Sequence, residues 1–177
     1  MKYDHVLPAA NVLGRMLSEA VTDLAPEFGA ELPLVVPVPL HASKIKQRGF
    51  NQSELMARAL VKQKPLDMQL ELAPKLLIRK RPTDSQTGLT RHQRIINLRG
   101  AFGALSPNVI SGRNILLVDD VYTTGTTVSE CARVLRRAGA EKVWVATVAR
   151  VLKSETTFAR VGEGEQGRAL AMAAGSH

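Results

Sequence analysis

Two adjacent carboxylates followed by a run of hydroxyls stand out in this chain, in the segment Asp119-Asp120-Val121-Tyr122-Thr123-Thr124-Gly125-Thr126-Thr127. Seven of these nine residues are Asp, Thr or Gly, whereas capping a helix needs one such residue. Strand closure by the acids and capping by a threonine therefore leave most of the segment unexplained. Hydroxyls and free backbone N–H groups at a helix N-terminus make an anion cradle. The helix dipole supports it, and Gly125 lets the backbone approach closely. Thr123, Thr124, Gly125, Thr126 and Thr127 are thus the expected phosphate-binding residues. Phosphate would repel Asp119 and Asp120, so the acids are read as acceptors for the hydroxyls of a ribose attached to that phosphate. The preceding Ile115-Leu-Leu-Val118 also resembles the acidic strand of ATP-hydrolysing enzymes. Those need an upstream G-x-x-x-x-G-K-[ST] loop, which the sequence lacks.

Such a segment works only if a strand delivers the acids and a helix follows the threonines. The β-branched and aliphatic run Ile115–Asp119 predicts the strand, residues 127–138 predict the helix, and Gly139 is placed to end it. A second strand at Val143–Ala149 completes a βαβ unit. Upstream, Leu13, Met16, Leu17, Ala20, Val21 and Leu24 recur at helical spacing over 9–24, before Pro26 and Gly29. Leu34–Val38, between Pro33 and Pro39, predicts a buried strand opening into a loop, and 52–63 a helix with Asn51 or Ser53 as cap. Lys75–Arg79 is a weaker strand. The alternation predicts an α/β fold, a mainly parallel sheet with helices on both faces. Residues 1–150 form the expected domain and 151–177 a loosely held tail, in which only Arg168–Ala174 suggests a short helix. Gly162, Gly164 and Gly167 fit G-x-G-x-x-G, but too few residues follow to complete a dinucleotide site.

Composition narrows the function classes. The 177 residues suit one domain, and 45% hydrophobic with 23% charged residues is a globular balance. No apolar run is long enough for a membrane span or a signal peptide core, so a soluble, cytoplasmic protein is expected. The single cysteine, Cys131, excludes an intramolecular disulfide and a multi-cysteine zinc site within the chain and reads as a small core residue. His5, His41, His92 and His177 lack ligand spacing, and Trp144 reads as strand packing. A net charge of +8 favours phosphorylated metabolites or nucleic acid, while 4% aromatics supplies a stacking platform poorly.

Further spaced motifs are Pro37-Val-Pro-Leu40, Arg48-Gly-Phe-Asn-Gln52, Arg79 to Gln86, Arg94-x-x-Asn97 and Gly100-Ala-Phe102. Ile115–Thr127 resembles the signature of type I phosphoribosyltransferases. The motifs together, over roughly residues 2 to 150, are similar to the ComF/GntX family of competence- and gluconate-associated proteins within that fold.

The resemblance implies a type I phosphoribosyltransferase-like fold that binds 5-phosphoribosyl-1-diphosphate. It implies Mg²⁺ held through the ligand rather than by protein atoms, and transfer to an unidentified acceptor. It places the diphosphate beside the loop after Val38, near Lys44, Lys46, Arg48 and the backbone at Gly49, where cations would stabilise the leaving anion. Solvation of a basic loop is the competing reading. Asn51 and Gln52 read as cap and packing contacts.

Arg79–Gln86 resembles the loop that closes over substrates, so Arg48, Arg79 and Arg81 are the candidate catalytic residues. Between Lys75 and Arg99 stand seven Lys or Arg and one acid, Asp84, so closure, contact with a nucleic-acid backbone and plain solvation all remain open for this stretch. The chain departs from purine-salvage members, which carry an acid where it has Thr123. It also lacks the four-cysteine zinc module that often opens ComF proteins, so it is expected to be a shortened or naturally short form. The alternative function is a non-catalytic adaptor in competence, binding single-stranded DNA or DNA-processing proteins. The sequence sets no oligomeric state.

Overall fold

A computed structural model describes residues 6–83, 90–150 and 169–171. The elements run α1 (Val6–Leu24), β1 (Leu34–Pro37), α2 (Ala42–Arg48), α3 (Gln52–Gln63), β2 (Glu71–Leu72), β3 (Leu77–Arg79), α4 (Arg91–Leu98) and β4 (Phe102–Ala104). They continue with α5 (Pro107–Ile110), β5 (Ile115–Tyr122), α6 (Thr126–Arg137), β6 (Val143–Arg150) and β7 (Ala169–Ala171). A five-stranded sheet of order β2-β1-β5-β6-β7 is parallel throughout, and β3 and β4 form a separate antiparallel pair. The architecture is α/β, as the alternation of elements predicts.

Strand periodicity divides the core in two. Ile115 and Leu117 of β5, with Leu34 and Val36 of β1, pack against Val128 and Leu135 of α6 and Phe102 of β4. Leu116 and Val118, with Val35 and Trp144, face Leu17 and Val21 of α1 and Met56 and Leu60 of α3. Both faces of β5 are covered, which is why its first four residues form one unbroken apolar run. Trp144 packs edge-on against Phe28 at 5.0 Å between ring centroids, as strand packing requires. Cys131 is wholly buried and unpaired in the first core, where burial pushes its thiol well above the ordinary range.

Several elements differ from the sequence reading. The loop expected after Val38 contains α2, capped at its start by the His41 side chain and at its end by Gly49 at φ 87°. The basic stretch before Arg99 contains α4, begun by a Thr90/Gln93 capping box. The short helix suggested over 168–174 is corrected: Ala169–Ala171 runs as a strand beside Val145–Thr147. Short helices are marginal alone, whereas the edge of β6 offers a ladder of backbone partners. The remaining tail residues, 151–168 and 172–177, and with them the glycines at 162, 164 and 167, lie outside the described residues, as do Asp84, Ser85 and Gln86 of the proposed closing loop. Among the described residues no helix is long and apolar enough to cross a membrane.

Candidate functional site

A cavity of about 480 Å³ opens where β1 and β5 end. It is lined by residues following β1 (Val38, Leu40, Arg48 and Asn51–Ser53), by the end of β5 and the start of α6, and by Arg79 and Arg94. This is the C-terminal edge of the parallel sheet, where α/β folds collect loops and helix N-termini around a ligand. Asn51 fixes one wall twice over. Its carbonyl oxygen caps α3 through the Ser53 N–H at 3.2 Å, and its amide donates to Val38 O at 3.0 Å. The helix and the end of β1 are thereby held together.

Asp119 forms the floor and is 8% exposed. The Ser53 hydroxyl donates to its Oδ1 at 3.2 Å, and the Asp120 N–H donates to the same oxygen at 3.0 Å. Burial and then the neighbouring Asp120 carboxylate push its pKa from the ordinary 3.8 to about 7. Asp120 sits higher, half-buried, and receives the Val121 N–H at 2.8 Å. Two carboxylates of unequal depth thus meet in one cavity. They can accept hydroxyl hydrogens from a polyol, and the deeper one carries charge reluctantly.

Beside them, Gly125 begins α6 at φ 72°, and no side chain caps that helix. A Cβ at Gly125 would collide with the Tyr122 ring and strain the left-handed backbone. Thr124 and Thr126 bond to each other through their hydroxyls at 2.8 Å, and Thr123 and Thr127 line the cavity. Of the five residues expected to hold a phosphate, Thr123 and Thr127 reach the cavity and Thr124, Gly125 and Thr126 are not in its lining; the start of α6 still lies beside it, a setting that suits a phosphate.

The cations divide sharply. Arg48 lines the cavity and donates to the Gln52 side chain at 3.3 Å. Arg79 lines it too, its guanidinium 5.4 Å from the Phe102 ring centroid and bonded to the Thr83 hydroxyl, and its buried Nε has no hydrogen-bond partner. Burial lowers its pKa, and Asp119 partly opposes that shift. Arg81 is absent from the lining and instead donates to Asn97 O and Arg99 O, both at 2.9 Å, closing the C-terminus of α4. Lys44, Lys46 and Gly49 belong to α2 and its cap and do not line the cavity.

Ser53 and Arg94 are among the lining residues that the sequence did not mark as site residues. Ser53 reads only as a possible cap, yet it bonds Asp119 across 66 residues of chain. Arg94 reads as motif and charge, yet its Nη1 reaches Thr123 Oγ1 at 3.4 Å. The cavity-facing role of Arg94 depends on α4 packing against α6, which Glu130 of α6 supports by accepting the Gly100 N–H at 3.0 Å just after α4, while Arg133 of the same helix holds that carboxylate through two bonds of 2.7 Å. Among the described residues no three possible metal ligands cluster.

The chain matches the family model described as "Phosphoribosyl transferase domain" over residues 21–159. It is 35% identical over 140 residues to "Competence protein F" of Haemophilus influenzae, covering 78% of this chain and 59% of that protein. It is 35% identical over 153 residues to the Escherichia coli "DNA utilization protein YhgH", covering 86% and 65%. The chain thus spans roughly three fifths to two thirds of the length of these curated relatives. A hypothetical protein from Neisseria gonorrhoeae with bound ppGpp shares the fold at TM-score 0.50 and 16% identity, over 91% of this chain and 79% of that one. A sheet that ends in paired acids and a threonine-framed helix start, and a family match that spans both, place this chain in the phosphoribosyl transferase domain family.

Proposed function

We propose that this chain binds 5-phosphoribosyl-1-diphosphate with Mg²⁺ in the cavity at the end of β5 and transfers the phosphoribosyl group to a nitrogen acceptor. The observation that carries the reading is the meeting of Asp119, Asp120 and the uncapped start of α6 in one cavity with a cationic rim. The 5-phosphate would lie on the first turn of α6, and the ribose hydroxyls would donate to the two carboxylates. Arg48 would receive the diphosphate, with Lys44 and Lys46 on the same helix supplying longer-range attraction.

In the transfer, the C1–O bond breaks with its electron pair leaving on the diphosphate. The acceptor nitrogen lone pair forms the C1–N bond, and any proton it carried passes to solvent or a diphosphate oxygen. Arg48 would stabilise charge as it grows on the leaving group.

The donor set fits Mg²⁺ in the manner typical of phosphate substrates, with one or two carboxylates, waters and ligand oxygens. The ion would be held mainly through the ligand's oxygens, with Asp120, the more exposed carboxylate, near enough to the ribose to share it. When bound, the ion neutralises the diphosphate.

Calorimetric titration with the sugar diphosphate, with and without Mg²⁺, tests the reading. Saturable binding is expected in the native chain, weakened at least about tenfold in Asp119→Asn/Asp120→Asn by loss of charge-assisted hydrogen bonds. Unchanged affinity in the double variant contradicts the site.

The second reading is an adaptor for DNA handling, in the sense that the relatives' names carry. Exposed Lys80, Arg81 and Arg99 beside exposed Ile95 and Ile96 favour it. In that case Arg81→Ala and Arg99→Ala reduce single-stranded DNA affinity and its salt slope without changing sugar diphosphate binding.

A further inference from the structure

We infer that Val121, Thr123, Arg79 and Arg94 form the acceptor subsite of this cavity, and that it takes a planar nitrogen acceptor bearing an anionic group. The inference rests on the proposed phosphoribosyl transfer and adds the class of acceptor.

The two walls of the cavity come from opposite faces of the sheet. Arg48 and Asn51–Ser53 lead into α3, whose Met56 and Leu60 belong to one core. Arg79 and Arg94 come from β3 and α4, on the side of Phe102, Val128 and Leu135 in the other core. The ends of β5, with Asp119 and Asp120, lie between them. Substitution at a ribosyl carbon held between two walls is most direct when the nucleophile enters from the side opposite the leaving group. With the diphosphate on the Arg48 wall, the acceptor falls to the wall of Arg79 and Arg94.

That wall has a definite chemistry. Val121 is 40% exposed although β-branched and apolar, and it offers a ring a surface to lie on. Around it stand two guanidiniums. Arg94 is anchored to Thr123, at the entrance of the threonine run, and α4 is pinned at its end by Arg81. Arg79 lines the cavity, and its partly buried guanidinium, whose Nε is sealed and unpartnered, is stabilised by an anion placed beside it. Two cations around an apolar face suit a ring with a carboxylate or phosphate rather than a neutral base.

Paired probes differing only in charge test this: nicotinate against nicotinamide, anthranilate against 2-aminobenzamide, and orotate against uracil. Each is titrated into the native chain saturated with the sugar diphosphate and Mg²⁺, and the dissociation constant is read, or KM where diphosphate is released. The acid is expected to bind at least about tenfold better than its neutral partner in one or more pairs. Arg94→Gln should reduce that ratio to about threefold or less and Arg94→Lys should restore part of it, both binding the sugar diphosphate within about threefold of the native chain.

Absence of discrimination in every pair overturns the inference. So does loss of sugar diphosphate affinity in Arg94→Gln comparable to that in Asp119→Asn/Asp120→Asn, which would assign Arg94 to the phosphate ligand. Failure of the native chain to bind the sugar diphosphate is read before any acceptor is added, and it removes the parent reading and this one together.

Discussion

Asp119 combines two demands that usually conflict. It is buried enough that its carboxyl resists ionising, yet it faces a cavity where an ionised oxygen is the better hydroxyl acceptor. Its raised pKa has a consequence for stability. Between the ordinary 3.8 and about 7, the folded chain holds a proton at Asp119 that the unfolded chain releases. Its contribution to stability is therefore greatest below that window, falls as pH rises through it, and is gone above about 7. Asp119→Asn should flatten that part of the pH–stability curve and unfold about 1–2 kcal/mol later than the native chain at pH 8, because no buried charge remains. Urea unfolding of both proteins from pH 4 to pH 8 checks this. A variant less stable at pH 8, or a slope as steep as the native one, contradicts the electrostatic picture. Asp119, Asp120, Thr123 and Thr127, which line the cavity, were readable from sequence because their segment is contiguous and too rich in such residues for capping alone. Ser53 and Arg94 were not, because each meets the site only through tertiary packing over 66 and 29 residues.

At the scale of elements, α4 decides how the cavity is roofed. It is only eight residues long, too short to persist without help. Its help comes from the Thr90/Gln93 capping box, the Arg81 bonds to Asn97 and Arg99, and the Glu130 bond to Gly100. Thr90→Ala should cost about 1 kcal/mol, and Arg81→Ala a similar amount, felt locally as faster amide exchange in Arg94 and Ile95. Exchange in Leu116 and Leu117 should not change; equal acceleration in β5, or none in α4, contradicts the clamp. Helices with a buried stripe, α1, α3 and α6, were legible from spacing to within a few residues. By contrast α2 has no buried residue, and α4 disposes its apolar residues Ile95 and Ile96 largely to solvent, so hydrophobic periodicity gave neither away. The Thr90-x-x-Gln93 pattern marks the start of α4 in the sequence, although the basic charge of Lys75–Arg99 drew attention to its contacts rather than to its helix. The weaker strand predicted at Lys75–Arg79 is β3, whereas its partner β4, three residues long, gave no signal of its own, and β7 forms only because β6 presents an open edge.

In the whole molecule, the parallel sheet is a rigid support that brings two sequence-distant walls to one end, and its two cores separate those walls cleanly. The net charge of +8 draws anions broadly, but charge alone does not choose between a phosphorylated sugar and a nucleic acid. Location does. A sugar diphosphate is predicted at the end of β5, and a DNA strand on the outer face carrying Lys80, Arg81 and Arg99. The direct discriminator is residue-resolved amide NMR of the native chain during addition of the sugar diphosphate with Mg²⁺. The largest shifts are predicted at the backbone amides of Asp120 and Thr124–Val128, with smaller ones at Arg48 and Arg94. Shifts confined to Lys80, Arg81 and Arg99, or spread evenly over the basic surface, would contradict a phosphoribosyl site at Asp119 and Asp120.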